Sequence, residues 1–234
     1  MTSSTITIPA KDGGSFTAYV AKPEGTAPAP AIVVIQEIFG VNAVMRDICD
    51  WLAGEGFVAI CPDLFWRIEP GIDITDQSKA EWDKAFSLFT AFDRDKGMDD
   101  IEATRAVAAT MEGTNGKVGA VGYCLGGHMA YRTAAETAVD AAVGYYGVGL
   151  QDVLDKAAGI ARPLMLHVAE KDEFAPAEAQ AKVKEGLAGN PLVTIHTYAG
   201  QGHAFARLGG AHYDKESADL ANGRTLAFFK THLA

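Results

Sequence analysis

The sequence predicts an α/β fold: a mainly parallel sheet of about seven or eight strands, helices on both faces, and a single domain over residues 1–234. Three observations predict it. Short β-branched and aliphatic runs recur along the chain, longer stretches with helical spacing separate them, and several runs are apolar at nearly every position. Near-continuous apolarity marks strands covered on both faces, and their alternation with helices marks parallel crossovers. With 234 residues, 48% of them hydrophobic and 21% charged, the chain can fill one substantial core.

The elements follow in order. FTAYVAK at 16–22 mixes polar and apolar residues and reads as an antiparallel edge strand. After the irregular KPEGTAPAP comes the strand AIVVI at 31–35, then a helix over about 44–54 and the strand FVAIC at 57–61. WRIEPGIDITD at 66–76 is a second irregular connection. A helix over 78–92 opens on a capping box, Ser78 with Glu81, and carries a stripe of Trp82, Phe86 and Phe89. A further helix is expected over 99–111, followed by the strand KVGAVG at 117–122 and a helix over 125–137. The last third holds the strands AAVGYY at 141–146, PLMLHV at 163–168 and LVTIHTY at 192–198, with helices over 176–187 and 215–230. No repeat, low-complexity tract or domain linker interrupts this series.

Composition excludes several functions. A net charge of −10 disfavours binding to nucleic acid or to an anionic membrane. No apolar run approaches the roughly 20 residues that span a bilayer, and MTSSTITIPAKDGG lacks the basic start of a signal peptide. Cys49, Cys61 and Cys124 are odd in number and far apart, so neither a disulfide framework nor a zinc site is indicated, and a reducing cytoplasm is the expected home. The chain has no P-loop, no well-placed G-x-G-x-x-G and no H-E-x-x-H, so no metal or organic cofactor is expected. Without an exposed apolar repeat, a monomer is expected.

One cysteine stands apart. In KVGAVGYCLGGHMAYR the pattern G-x-C-x-G places Cys124 at a sharp turn between a strand and a helix. Small neighbours let the chain approach itself there, and the turn lifts the side chain out of the sheet. The N–H of Leu125, at the start of the helix, can stabilise a developing oxyanion, and the helix dipole favours thiolate over thiol. The competing reading is a buried cysteine used as a small hydrophobe, which is how Cys49 and Cys61 read. A nucleophile also needs an acid and a histidine downstream, in that order. LHVAEKDEFAP offers Glu170, Asp172 and Glu173 at a strand end, and YAGQGHAFAR offers His203 in a glycine-rich loop. Both loops leave the carboxyl ends of strands, where open parallel sheets place their sites. His167 and His196 lie within strands, His128 lies one turn into a helix and His232 is at the C-terminus, leaving His212 as the rival in a comparable loop.

With QEIFG, CPDLF, NGKVGAVGYCLGG, AVGYYGVG, KDEFAPA, NPLV and GHAFAR in place, the chain resembles the dienelactone hydrolase (carboxymethylenebutenolidase) family of the α/β-hydrolase superfamily. That resemblance implies a triad of Cys124, Asp172 and His203, with the N–H groups of Leu125 and Ile38 as the oxyanion hole. It implies that Glu37 helps to deprotonate the thiol, and that Arg207, Tyr145, Trp82 and Phe39 contact the substrate. The implied reaction is hydrolysis of a small, carboxylate-bearing lactone without a cofactor. At Trp82 the family pattern has a second carboxylate-binding arginine. Tryptophan cannot form a bidentate pair, a loss of about 1.5–3 kcal/mol toward a carboxylate ligand. Arg67 in WRIEP is the nearby cation that could compensate. The alternatives are a small-ester or thioester hydrolase with a less carboxylate-selective site, and a non-catalytic metabolite-binding protein on the same fold.

Overall fold

Every strand expected from an apolar run forms. A computed structural model of the chain describes all residues from Met1 to Ala234. Its strands are β1 (Thr2–Pro9), β2 (Ser15–Lys22), β3 (Ala29–Ile35), β4 (Val58–Pro62), β5 (Thr114–Tyr123), β6 (Ala141–Tyr145), β7 (Leu164–Ala169) and β8 (Val193–Tyr198). They form one mainly parallel sheet in the order β1-β2-β4-β3-β5-β6-β7-β8. Proximity of Cα atoms divides the chain into two compact units, Met1–Gly119 and Ala120–Ala234, with the boundary inside β5.

In the first unit, β4 is buried at every position, as its continuous apolar sequence requires, and β3 runs parallel to it with Ala31 opposite Val58. The antiparallel strand at 16–22 is β2, but it is not an edge. It pairs with β4 on one side and with β1 on the other, from Thr2 opposite Lys22 to Pro9 opposite Ser15. Sequence reasoning missed β1 because TSSTITIP contains no apolar run. Only Ile8 is buried in it, and hydroxyl side chains suit the edge of a sheet, where contact with other chains must be discouraged.

Helix α1 (Ala43–Gly54) starts at Asn42, whose side chain accepts the Met45 N–H at 3.2 Å, and buries Met45, Cys49, Leu52 and Ala53 on one stripe. The capping box at α2 (Lys79–Ala91) forms, with Ser78 Oγ accepting from Glu81 N and donating to the Glu81 carboxylate. The face that α2 buries is Ala85 and Leu88; the aromatic stripe is not the core face, and Phe86 is 43% exposed. Helix α3 (Arg94–Thr110) begins five residues ahead of the expected start, at a cap where Asp93 accepts from Asp95 and Lys96 N–H. Its polar first turn, RDKG, has no apolar period to announce it.

In the second unit, β6, β7 and β8 are parallel, with Ala142 opposite Leu164 and Leu164 opposite Val193. Helices α4 (Leu125–Glu136), α5 (Ala177–Leu187) and α6 (Lys215–His232) match expectation closely. Two short 3-10 turns, Leu150–Asp152 and Leu154–Gly159, were not expected, since pieces this short carry no periodic signal. α4 buries every residue from Leu125 to Ala134. It approaches β6 so closely that a Cβ on Gly127 would lie 2.4 Å from the Tyr145 carbonyl oxygen. Gly127→Ala is therefore expected to destabilise the protein by about 1–3 kcal/mol, read as a lower urea midpoint with an unchanged slope.

Candidate active site

The site starts from a strained turn. Where β5 ends, Cys124 adopts φ 56 and ψ −114, and α4 begins at the next residue. A side chain at positive φ is unfavourable, so the surroundings must hold it. The Cys124 N–H donates to Tyr145 O at 3.1 Å, and the Cys124 carbonyl accepts from Gly127 and His128 N–H at 3.0 and 3.2 Å. The Tyr123 ring stacks on Tyr145 with centroids 4.6 Å apart. The first glycine of G-x-C-x-G is a steric requirement, because a Cβ on Gly122 would come within 1.9 Å of Gly126 O. Cys124 itself is buried. Leu125 is the first residue of α4, a position at which a backbone N–H has no acceptor within the helix.

Of the three acids in the loop after β7, the structure selects Asp172. Its carboxylate accepts from His203 Nδ1 at 2.8 and 3.0 Å and from Phe174 N–H at 2.9 Å. Glu170 instead accepts the Gly200 N–H, and Glu173 is exposed. Gln180 of α5 pins the loop by donating to the carbonyls of Ala169 and Ala175 at 2.9 and 2.8 Å. The rival His212 has its Nδ1 3.0 Å from the His203 carbonyl oxygen and so buttresses that loop.

His203 is buried between two rings, Phe174 at 4.8 Å and Tyr146 at 5.2 Å, both edge to face. Burial lowers its pKa, but ionised Cys124 and the hydrogen-bonded Asp172 outweigh burial and push it up to about 10. At neutral pH the ring is therefore an imidazolium. His203 Nε2 has no hydrogen bond of regular geometry, so Cys124 acts on it chiefly as a nearby charge.

The chain's three non-glycine residues with positive φ are Cys124, Tyr146 at 37 and Ala204 at 61. All three belong to this site: Tyr146 packs on His203, and Ala204 follows it in the chain. Backbone strain concentrates where function fixes a geometry. Sequence reasoning missed Tyr146 and Phe174 as covers of the imidazole. Phe174 had a signal in its place two residues after the acid, and Tyr146 had none beyond lying at the end of a strand.

The other expected residues sort differently. Tyr145 is fully buried, and its hydroxyl contacts Thr225 at 2.6 Å and Asn222 at 3.1 Å. Arg207 is buried four residues beyond His203. In the first unit, Glu37, Ile38 and Phe39 are buried after β3, and Phe39 meets Trp82 edge to face at 5.1 Å. Trp82 also stacks on Phe86 and donates its indole N–H to Asp76 O at 2.9 Å. Arg67 is committed elsewhere, paired with Asp100 and with Asp12 and stacked on Trp66.

A profile of the dienelactone hydrolase family matches residues 16–233. The chain belongs to the dienelactone hydrolase family. It is thus a hydrolase of the carboxylic-ester and lactone class with an α/β-hydrolase fold. A protein of Azospirillum brasilense provisionally named carboxymethylenebutenolidase is 54% identical over 97% of this chain and 98% of that one. The carboxymethylenebutenolidase of Pseudomonas putida is 45% identical over 95% and 94%. A crystal structure from Klebsiella pneumoniae, provisionally named a dienelactone hydrolase, superposes with a TM-score of 0.86 at 29% identity, covering 98% of both chains. No helix of this family member is long and apolar enough to cross a membrane.

Because the His203 pKa is raised above its unfolded value of 6.5, the stability it contributes is complete below that value and is lost as pH rises through about 10. By NMR the imidazole is expected to titrate near that upper value, and Asp172→Asn should lower the midpoint. A wild-type midpoint at 6.5 would show that no such ion pair exists.

Proposed function

We propose that this hydrolase opens a small enol-lactone with Cys124 as nucleophile, His203 as acid and base, and Asp172 as the group that orients His203. The observation that carries the reading is a cysteine held at φ 56 between strand and helix, in the same compact unit as a buried His203–Asp172 pair. The thiolate attacks the lactone carbonyl, and the Leu125 N–H stabilises the oxyanion. By the family pattern, the Ile38 N–H is its second donor, and Glu37 assists ionisation of the thiol when substrate binds. As the ring C–O bond breaks, the leaving enolate or alkoxide takes the His203 proton. The neutral imidazole then accepts a proton from water, hydroxide attacks the thioester, and the C–S bond breaks to return the thiolate and the imidazolium.

Phe174 and Tyr146 keep the imidazole dry, which strengthens its interactions with Asp172 and with the sulfur anion. Cys124→Ala is expected to lower kcat on any substrate by at least about 10³-fold without loss of fold. Full turnover by that variant would end the reading, as would a thiol inert to iodoacetamide together with no ester turnover at any pH.

The substrate's charge is the second part of the proposal. Arg207 is read as the cation that holds a substrate carboxylate. Trp82 stands where a partner arginine is expected, with its indole N–H already engaged by Asp76, and Arg67 is held by two aspartates. These neutral and occupied side chains favour a weakly charged lactone, or a small uncharged ester, more than the family pattern does. Trp82→Arg is expected to raise kcat/KM for a carboxylated dienelactone by roughly 10- to 150-fold while leaving an uncharged nitrophenyl ester little changed. Wild-type turnover of the nitrophenyl ester alone would replace the lactonase reading with that of an ester hydrolase.

A further inference from the structure

A second polar system lies in the Ala120–Ala234 unit, away from the reacting atoms. It is a chain of hydrogen bonds that starts and ends on α6 and passes through three strands. Arg224 donates to the Tyr198 hydroxyl at 3.2 Å, and that hydroxyl lies 2.8 Å from His167 Nδ1. His167 Nε2 lies 3.0 Å from Thr225 Oγ1, which lies 2.6 Å from the Tyr145 hydroxyl. Tyr145 donates to Asn222 Oδ1 at 3.1 Å. His167, Thr225 and Tyr145 are buried in full or nearly so.

The direction of every bond follows from its two ends. Asn222 Oδ1 can only accept, so Tyr145 spends its proton there and accepts from Thr225. Thr225 has one proton, so it accepts from His167 Nε2–H. His167 Nδ1 is then an acceptor, supplied by Tyr198, whose oxygen in turn accepts from Arg224. The tautomer of a fully buried histidine is fixed, and no donor in the chain lacks its acceptor.

This network reaches both halves of the proposed catalytic pair through the backbone. The Tyr145 carbonyl holds the Cys124 N–H, and its ring stacks on Tyr123. The His167 carbonyl accepts the Tyr146 N–H at 2.7 Å, and the Tyr146 ring lies against His203. The His167 and Tyr145 rings touch, with centroids 4.3 Å apart.

We propose that His167, as a neutral Nε2–H imidazole, is a positioning residue that holds Tyr145 and Tyr146, and through them Cys124 and His203, in register for hydrolysis. This rests on the reading of Cys124 and His203 as the reacting pair. His167 meets Tyr198 and His196 from β8, Arg224 and Thr225 from α6 and Tyr145 from β6. Burial first, then His196 and Arg224, hold its pKa well below the ordinary 6.5. A second proton on Nδ1 would face an oxygen already accepting from Arg224 and would leave the Tyr198 proton without its acceptor. The neutral working form therefore persists below pH 6.5 and is lost only as pH falls through that depressed value, on the opposite side of neutrality from the His203 titration.

The test is steady-state kinetics against pH on a nitrophenyl ester and a lactone. Thr225→Val should lower kcat roughly tenfold with KM within about twofold, and Thr225→Ser, which keeps the hydroxyl, should restore kcat. Tyr198→Phe removes the donor that occupies Nδ1. It should leave the plateau kcat within about twofold and move the acid limb toward neutral pH. If Thr225→Val fails to fold, the Tyr198→Phe profile decides the matter. An unshifted acid limb in Tyr198→Phe overturns the proposal, as does wild-type kcat in folded Thr225→Val or failure of Thr225→Ser to rescue. An active Cys124→Ala would remove the underlying reading. An inactive Cys124→Ala beside unaffected network variants would overturn this inference alone.

Discussion

The constraint on which the rest depends is the positive φ of Cys124. A non-glycine residue stays in that conformation only when neighbouring structure over-determines it. Here the determination comes from two directions. Along the chain, Gly122 lets the backbone fold onto that of Gly126, and the first turn of α4 takes up the Cys124 carbonyl. Across the sheet, the end of β6 takes up the Cys124 N–H and stacks a tyrosine on the preceding ring. The sulfur is left at the start of a helix, where the local field favours its anion.

Charge then organises the second unit around that sulfur. His203 is buried deeply enough that it would ordinarily be neutral, yet the neighbouring Cys124 and Asp172 push its pKa up. Asp172 is the acid that does this because its loop is pinned from α5 and capped by Phe174 N–H, whereas Glu170 is spent on the Gly200 backbone. The aromatic covers exclude water without adding charge. His167, as deeply buried, is driven the other way by that burial first and then by His196 and Arg224. Two histidines of one unit thus hold opposite protonation states, and each state follows from its neighbours.

In the first unit, the side chains at and near the family's second arginine position are already engaged. Trp82 is fixed by Phe39, Phe86 and the Asp76 carbonyl, and Arg67 by Asp100 and Asp12. Neither supplies a mobile cation.

Apolar runs and glycine spacing were enough to read seven of the strands, all six helices and the turn at Cys124, because burial and steric closeness act on neighbours in sequence. The strand β1 escaped, since its apolar alternation is only Ile6 and Ile8 among serine and threonine, and the polar start of α3 escaped because it has no apolar period at all. Residue type and loop position also pointed to His203, and left three acids beside it. Only the tertiary structure chose Asp172, turned Tyr145 into the interior, placed Phe174 and Tyr146 over the imidazole, and tied Arg67 to aspartates far away in sequence. Those outcomes depend on which side chains meet across strands and loops, and a hydrogen bond or ring contact between distant segments leaves no periodic trace in either of them.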